Sequence, residues 1–308
     1  MKCQTKSWCK WGYTLLGSLL MALLIKIFFI TTCFIPHKGM QNTLYEGEGI
    51  WVNKWSYGWR VPFLSLFGYH RVGNVAVKKG DVVVYNKPVD KPKKESVWID
   101  FSPLCISRCI GLPGDTLYLD EVFFYAEEPD IEADNKRLYS YPIEAEEAIV
   151  QALSQMKMTE NVLAGYTKDG KFVRSFSEDE YNGVVNLLEN TDLLIPLHET
   201  INAEIHPYVI PKAGINITIE AWNIHLLCNA ILRHEGKDAY VKDGKLFVNG
   251  KPIKTYRFTQ NYFWMVSDEP LNVNDSRLYG LIPESHIVGK AVGIWWGAQI
   301  DRFFKRIV

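Results

Sequence analysis

The chain has 308 residues, 47% of them hydrophobic, and a formal net charge of −1. That length holds one large domain or two modest ones, and a near-neutral balance without a basic block argues against a nucleic-acid partner. The 10 Trp and 16 Tyr fit a strand-rich protein or one that meets a membrane interface.

Lys2, Lys6 and Lys10 open the chain, and no acidic residue accompanies them. Gly12 to Ile35 is then almost wholly apolar, broken by Lys26. As a helix this run spans roughly 36 Å, enough to cross a bilayer. The positive-inside rule keeps residues 1–11 in the cytoplasm and places everything beyond the 12–35 helix on the outer face of the plasma membrane. The rival reading is a cleaved signal peptide, for which Ile30 to Ile35 lacks suitable small residues. Lys26 lies past the middle of the run, and its ammonium reaches the outer headgroups.

Residues 36–118 read as strands and turns. Gly80 to Tyr85 and Ile106 to Ile110 are short β-branched runs, the second closed by the Gly/Pro loop Gly111-Leu112-Pro113-Gly114-Asp115. Helical patterns follow at Ile143–Met156, Ser177–Glu189 and Ile219–His234, and Ser177 with Glu180 has the form of a capping box. Residues 238–308 return to strands, with hairpin dipeptides Asp243-Gly244 and Asn249-Gly250 around Lys245 to Val248. The chain is thus mainly β, with an α+β insertion at 119–237 dividing a body of 36–118 and 238–308. Cys105 and Cys109 share one face of a strand, too far apart along it to bridge easily. No Cys-x-x-Cys or His-Glu-x-x-His occurs, and no cofactor or metal is expected.

Pro36-His37-Lys38-Gly39-Met40-Gln41-Asn42-Thr43-Leu44 follows the apolar run directly, and Asn53-Lys54 and Tyr57-Gly58-Trp59-Arg60 come next. Further on stand Arg108, Gly111 to Asp115, the segment Asn274-Asp275-Ser276-Arg277, and Gly289-Lys290-Ala291. In this order the motifs resemble type I signal peptidases, membrane-bound Ser/Lys endopeptidases that remove signal peptides. The resemblance covers about 36–118 and 238–292. It implies a membrane helix followed by a β-barrel-like body that carries the site.

That chemistry needs a serine, a neutral lysine to take its proton, and donors for the oxyanion. Carried over residue by residue, the nucleophile position is Gly39, the oxyanion position His37, the base position Ser107 and the lysine-orienting position Val273. All four differ from the family pattern, whereas Met40, Arg108, Asp275 and Arg277 keep it. Asp275 and Arg277 lie on one face if their segment is extended, as a buried brace. The implied role is a catalytically inactive member that binds signal peptides or extended exported segments, or that assists an active signal peptidase. Two alternatives stand beside it. One is an active serine endopeptidase with relocated groups drawn from Ser107, His37, Lys38, Lys54 or Cys109. The other is a structural subunit that uses the insertion as its contact surface. Trp295 and Trp296 fit a membrane-interface position and a core position equally.

Overall fold

A computed structural model describes residues 4–61, 68–73, 75–88, 102–120, 135–158, 160–200 and 204–307. Lys2 and Cys3 lie outside the described residues. The first element is a helix, Gln4–Phe28, whose stretch Trp11–Phe28 is long and apolar enough to cross a membrane. It ends at Phe28 rather than at Ile35. Ile30–Phe34 is a strand, paired with Gly49–Asn53. Two causes combine, one local and one distant in the chain. Ile30, Thr31 and Thr32 are β-branched and favour a pleated conformation. In addition, Lys54 Nζ donates to the carbonyls of Lys26 and Ile27 at 3.1 and 3.0 Å, and Trp55 Nε1 to that of Phe28 at 2.9 Å. These donors satisfy carbonyls that a helix end leaves open. Lys26 itself sits in the last turn, where a cation complements the helix dipole.

The body is a curled antiparallel half-barrel. Its seven strands run in the order Ile30–Phe34, Gly49–Asn53, Ile287–Trp296, Val82–Asn86, Leu104–Gly111, Tyr262–Val266 and Ile282–Pro283. Register shifts within three of the pairings provide the curl. Side chains alternate between two apolar layers. Val82, Val84 and Ile106 join Ile50, Val52, Met40 and Leu44 on one side. Val83, Tyr85, Cys105 and Cys109 join Phe263, Met265 and Ile287 on the other. Gly111 ends its strand beneath Trp264, where an added Cβ would come within 2.8 Å of that residue's Cβ and 2.9 Å of Leu117 Cδ1.

Residues 137–196 form a four-stranded sheet with helices Glu146–Gln155 and Glu178–Leu188, around Tyr141, Ile149, Leu153, Phe176 and Val184. The Ser177/Glu180 capping box is present in full. The first of these helices starts later than its periodicity suggests, because Pro142 leads into a 3-10 turn over Ile143–Ala145. The third helix is Ile224–His234, preceded by a turn instead of beginning at Ile219. It packs with Ile110, Leu117, Tyr208 and Trp264. Strand Thr116–Leu119 pairs with His206–Val209. Both expected hairpin turns form, and Asp243, Gly244, Asn249 and Gly250 all have positive φ.

Candidate functional site

The segment after Ile35 is held from below. Met40 and Leu44 are buried in the apolar layer, which fixes a short 3-10 turn over Lys38–Met40. His37 is extended and caps this turn: the Gly39 N–H donates to His37 Nδ1 at 3.1 Å. The Gly39 carbonyl accepts from the Glu269 N–H at 3.0 Å. Asn272 closes the arrangement. Its Nδ2 lies 3.0 Å from His37 Nδ1, and its Oδ1 accepts from the Asn274 N–H at 2.9 Å. A Cβ on Gly39 would stand 2.7 Å from Asn272 Nδ2 and 2.8 Å from His37 Nδ1 and Cε1. The space beside Gly39 is therefore filled by an imidazole and an amide.

Two ion pairs brace this site. Arg108 Nε and NH2 meet Asp268 Oδ1 and Oδ2 at 2.7 and 2.8 Å, a bidentate pair that is almost wholly buried. The same guanidinium donates to the Gly80 carbonyl and to Thr43 Oγ1, and Thr43 donates to Asp268 at 2.6 Å. One side chain thus joins strand, site segment and the 267–277 loop. The second pair is Asp275 with Arg277, 2.5 Å apart and buried. It does not rest on an extended segment. Asp275 is the N-cap of a helical turn over Ser276–Tyr279 and accepts from the Arg277 N–H, so the pair closes across a turn. Arg277 then donates to the carbonyls of Pro270 and Asn272, which shapes the loop that presents Asn272.

Of the remaining predicted positions, Ser107 lies on the strand Leu104–Gly111, which passes beside the Lys38–Met40 turn. Ser107 is fully buried on the face of Val83 and Tyr85, and its Oγ lies 3.1 Å from the Tyr85 hydroxyl. Burial pushes the Tyr85 phenol well above its ordinary range. Among the described residues no hydrogen bond joins Ser107 to His37 or Gly39. Val273 is exposed. Lys54 is engaged at the helix end, Lys38 faces Glu160 at 4.0 Å, and burial raises the Cys109 thiol beyond reach of neutral pH. Trp295 lies under Gly49 and against Phe34, whereas Trp296 is exposed.

Sequence reasoning missed Asn272 and the groups around Glu269. Lys136 is buried, 3.3 Å from Glu180 and 3.9 Å from Glu269, and its N–H donates to the Asp268 carbonyl. Glu160 accepts from Gln41 at 3.0 Å. These contacts tie the 137–196 region to the site loop, and no local motif announces them. The Asn272/Asn274 pair beside Pro270 is the one visible hint, as a turn signal.

An apolar N-terminal helix thus leads into a half-barrel whose first loop carries the site, braced by two buried Arg–Asp pairs. The site stands at the head of a mostly β body behind a helix long enough to span a bilayer. The family described as "Signal peptidase, peptidase S26" matches residues 8–172, more than half of the chain, and the protein belongs to that family. A Signal peptidase I of Buchnera aphidicola (subsp. Baizongia pistaciae) is 26% identical over 302 residues, covering 92% of this chain and 79% of its own. One from Helicobacter pylori is 24% identical over 297 residues, covering 92% and 81%. One from Rickettsia canadensis is 32% identical over 117 residues, covering 36% and 40%.

Proposed function

We propose that this chain is a membrane-anchored signal peptidase family protein without Ser/Lys chemistry, which holds signal peptides or extended exported segments rather than cutting them. The observation that carries this reading is at Gly39. The residue offers no nucleophile, and the volume a serine side chain needs is taken by His37 and Asn272. The base position supports the same reading, because Ser107 is short, buried and bonded to Tyr85. Family peptidases hold substrate as an extended strand against their own edge strands, a mode that relies on backbone and shape. Both braces around the site segment survive here without the chemistry they would serve. In this reading residues 1–11 are cytoplasmic, the anchor is single-pass, and the body of 36–118 and 238–308, with 119–237 inserted, lies on the outer face. An active signal peptidase is a further partner under the same reading.

The test is cleavage of a signal-peptide-bearing precursor by the full-length protein in detergent, with an active family member as control. No cleavage is expected, together with measurable retention of the precursor. Turnover by the unmodified protein, lost in Ser107→Ala, would overturn the proposal in favour of relocated groups. Absence of both cleavage and retention would leave the inserted region as the working surface.

A further inference from the structure

The hydrogen bonds around His37 fix its proton. Asn272 Oδ1 already accepts from the Asn274 N–H, so the amide group turned toward His37 is the NH2, a donor. The Gly39 N–H is a second donor to the same atom. Nδ1 therefore carries no proton, and the neutral ring is the Nε2–H tautomer. Protonating Nδ1 would place three donors face to face. We infer that His37 is a proton-operated latch: the neutral ring holds the Gly39 N–H, and the imidazolium releases it to the carbonyl of an incoming extended peptide.

Other charged groups near the latch lie close to groups of opposite sign, with Lys136 shared between Glu180 and Glu269. Lys38 faces Glu160 across the surface. Asp268 is paired with Arg108, and Glu269 lies near Lys136. Asp275 is paired with Arg277, whose guanidinium also holds the Asn272 carbonyl. Imidazole is the side chain whose charge ordinarily changes between about pH 5 and 8. The Asp275–Arg277 pair braces the loop that carries Asn272 independently of the His37 ring. Once released, the Gly39 N–H stands at the head of a turn whose Met40 end is anchored in the core. It is the group that a bound strand's carbonyl would otherwise have to take from His37.

The ligand arm of this inference rests on the peptide-binding reading above, and its test separates the two. The full-length protein in detergent would be labelled with ¹⁵N at glycine and histidine. The Gly39 amide and the His37 ring nitrogens should titrate together, with Nδ1 unprotonated at pH 7.5. In His37→Gln the Gly39 amide should not move. Binding of a fluorescent extended peptide with small residues at alternate positions would be measured in parallel. The wild type should bind five- to tenfold more tightly at pH 5.5 than at 7.5, the worth of about one net hydrogen bond. His37→Ala should bind tightly at both, and His37→Gln weakly at both. An Nδ1–H tautomer at neutral pH, separate titrations, or pH-independent binding by the wild type would overturn the latch. Co-titration with no peptide binding by any of the three proteins would instead keep the latch and overturn the peptide-binding reading.

Discussion

Replacing Gly39 by Ser probes the site most directly. The backbone is no obstacle, because Gly39 is not among the residues with positive φ. The obstacle is the space: the new Cβ would meet Asn272 Nδ2 at 2.7 Å and His37 Nδ1 and Cε1 at 2.8 Å. Both neighbours are side-chain ends, so they swing away and the main chain stays. The loss is then the two hydrogen bonds converging on Nδ1. At about 0.5–1.5 kcal/mol net for each, Gly39→Ser should cost roughly 1–3 kcal/mol. In a His37→Ala background neither bond exists, and the same change should cost under about 1 kcal/mol, an interaction energy within the usual range for touching residues. Unfolding free energies of the four full-length proteins in detergent, followed by tryptophan fluorescence, complete the cycle. Equal costs of Gly39→Ser in both backgrounds would refute the claim that His37 fills the nucleophile position.

Three other outcomes follow from the same geometry. Arg108→Met leaves Asp268 buried and unpaired, and should destabilise the fold by about 3–5 kcal/mol in denaturant unfolding. Cys105 should alkylate on the order of a hundredfold more slowly than an ordinary thiol at pH 7.5, until the protein is unfolded, because burial pushes its pKa up to about 11. Burial raises the Glu146 carboxyl, but the hydrogen bonds from Arg174 and Tyr141 outweigh it and hold the group below its usual range. A depressed carboxylate stabilises the fold above its unfolded pKa, and that stability is lost as acid protonates it through the folded value. The 137–196 region should therefore weaken as the pH falls below the ordinary glutamate range, and Glu146→Gln should flatten that part of the stability–pH profile.

The features legible in the sequence were those written in a few adjacent residues. Asp243-Gly244 and Asn249-Gly250 name their turns because only such residues accept positive φ readily. Ser177 and Glu180 mark a helix start for the same reason of proximity. The end of the first helix was not legible. The edge strand Ile30–Phe34 continues the apolar run of the helix without a break in composition, and only the distant Lys54 and Trp55 show where the helix stops. The Asp275–Arg277 pair was visible, but the turn that joins it was not. At the site, Gly39, His37 and Arg108 could be located from their motifs. The contact of Asn272 with His37, 235 positions away in the chain, and the burial of Lys136 exist only after folding.

The order of strands sets a condition on how the protein is made. Ile287–Trp296 is the bridge between Gly49–Asn53 and Val82–Asn86, so among the described residues the first hairpin and the rest of the sheet are joined through a segment made more than 200 residues after that hairpin begins. Until that segment emerges, two strand edges stand open, and open edges invite pairing with other chains. A ribosome that stalls a few codons before Ile287 would leave the site loop on a sheet fragment with no centre. Such a product would be a substrate for quality-control proteases rather than a shortened working protein.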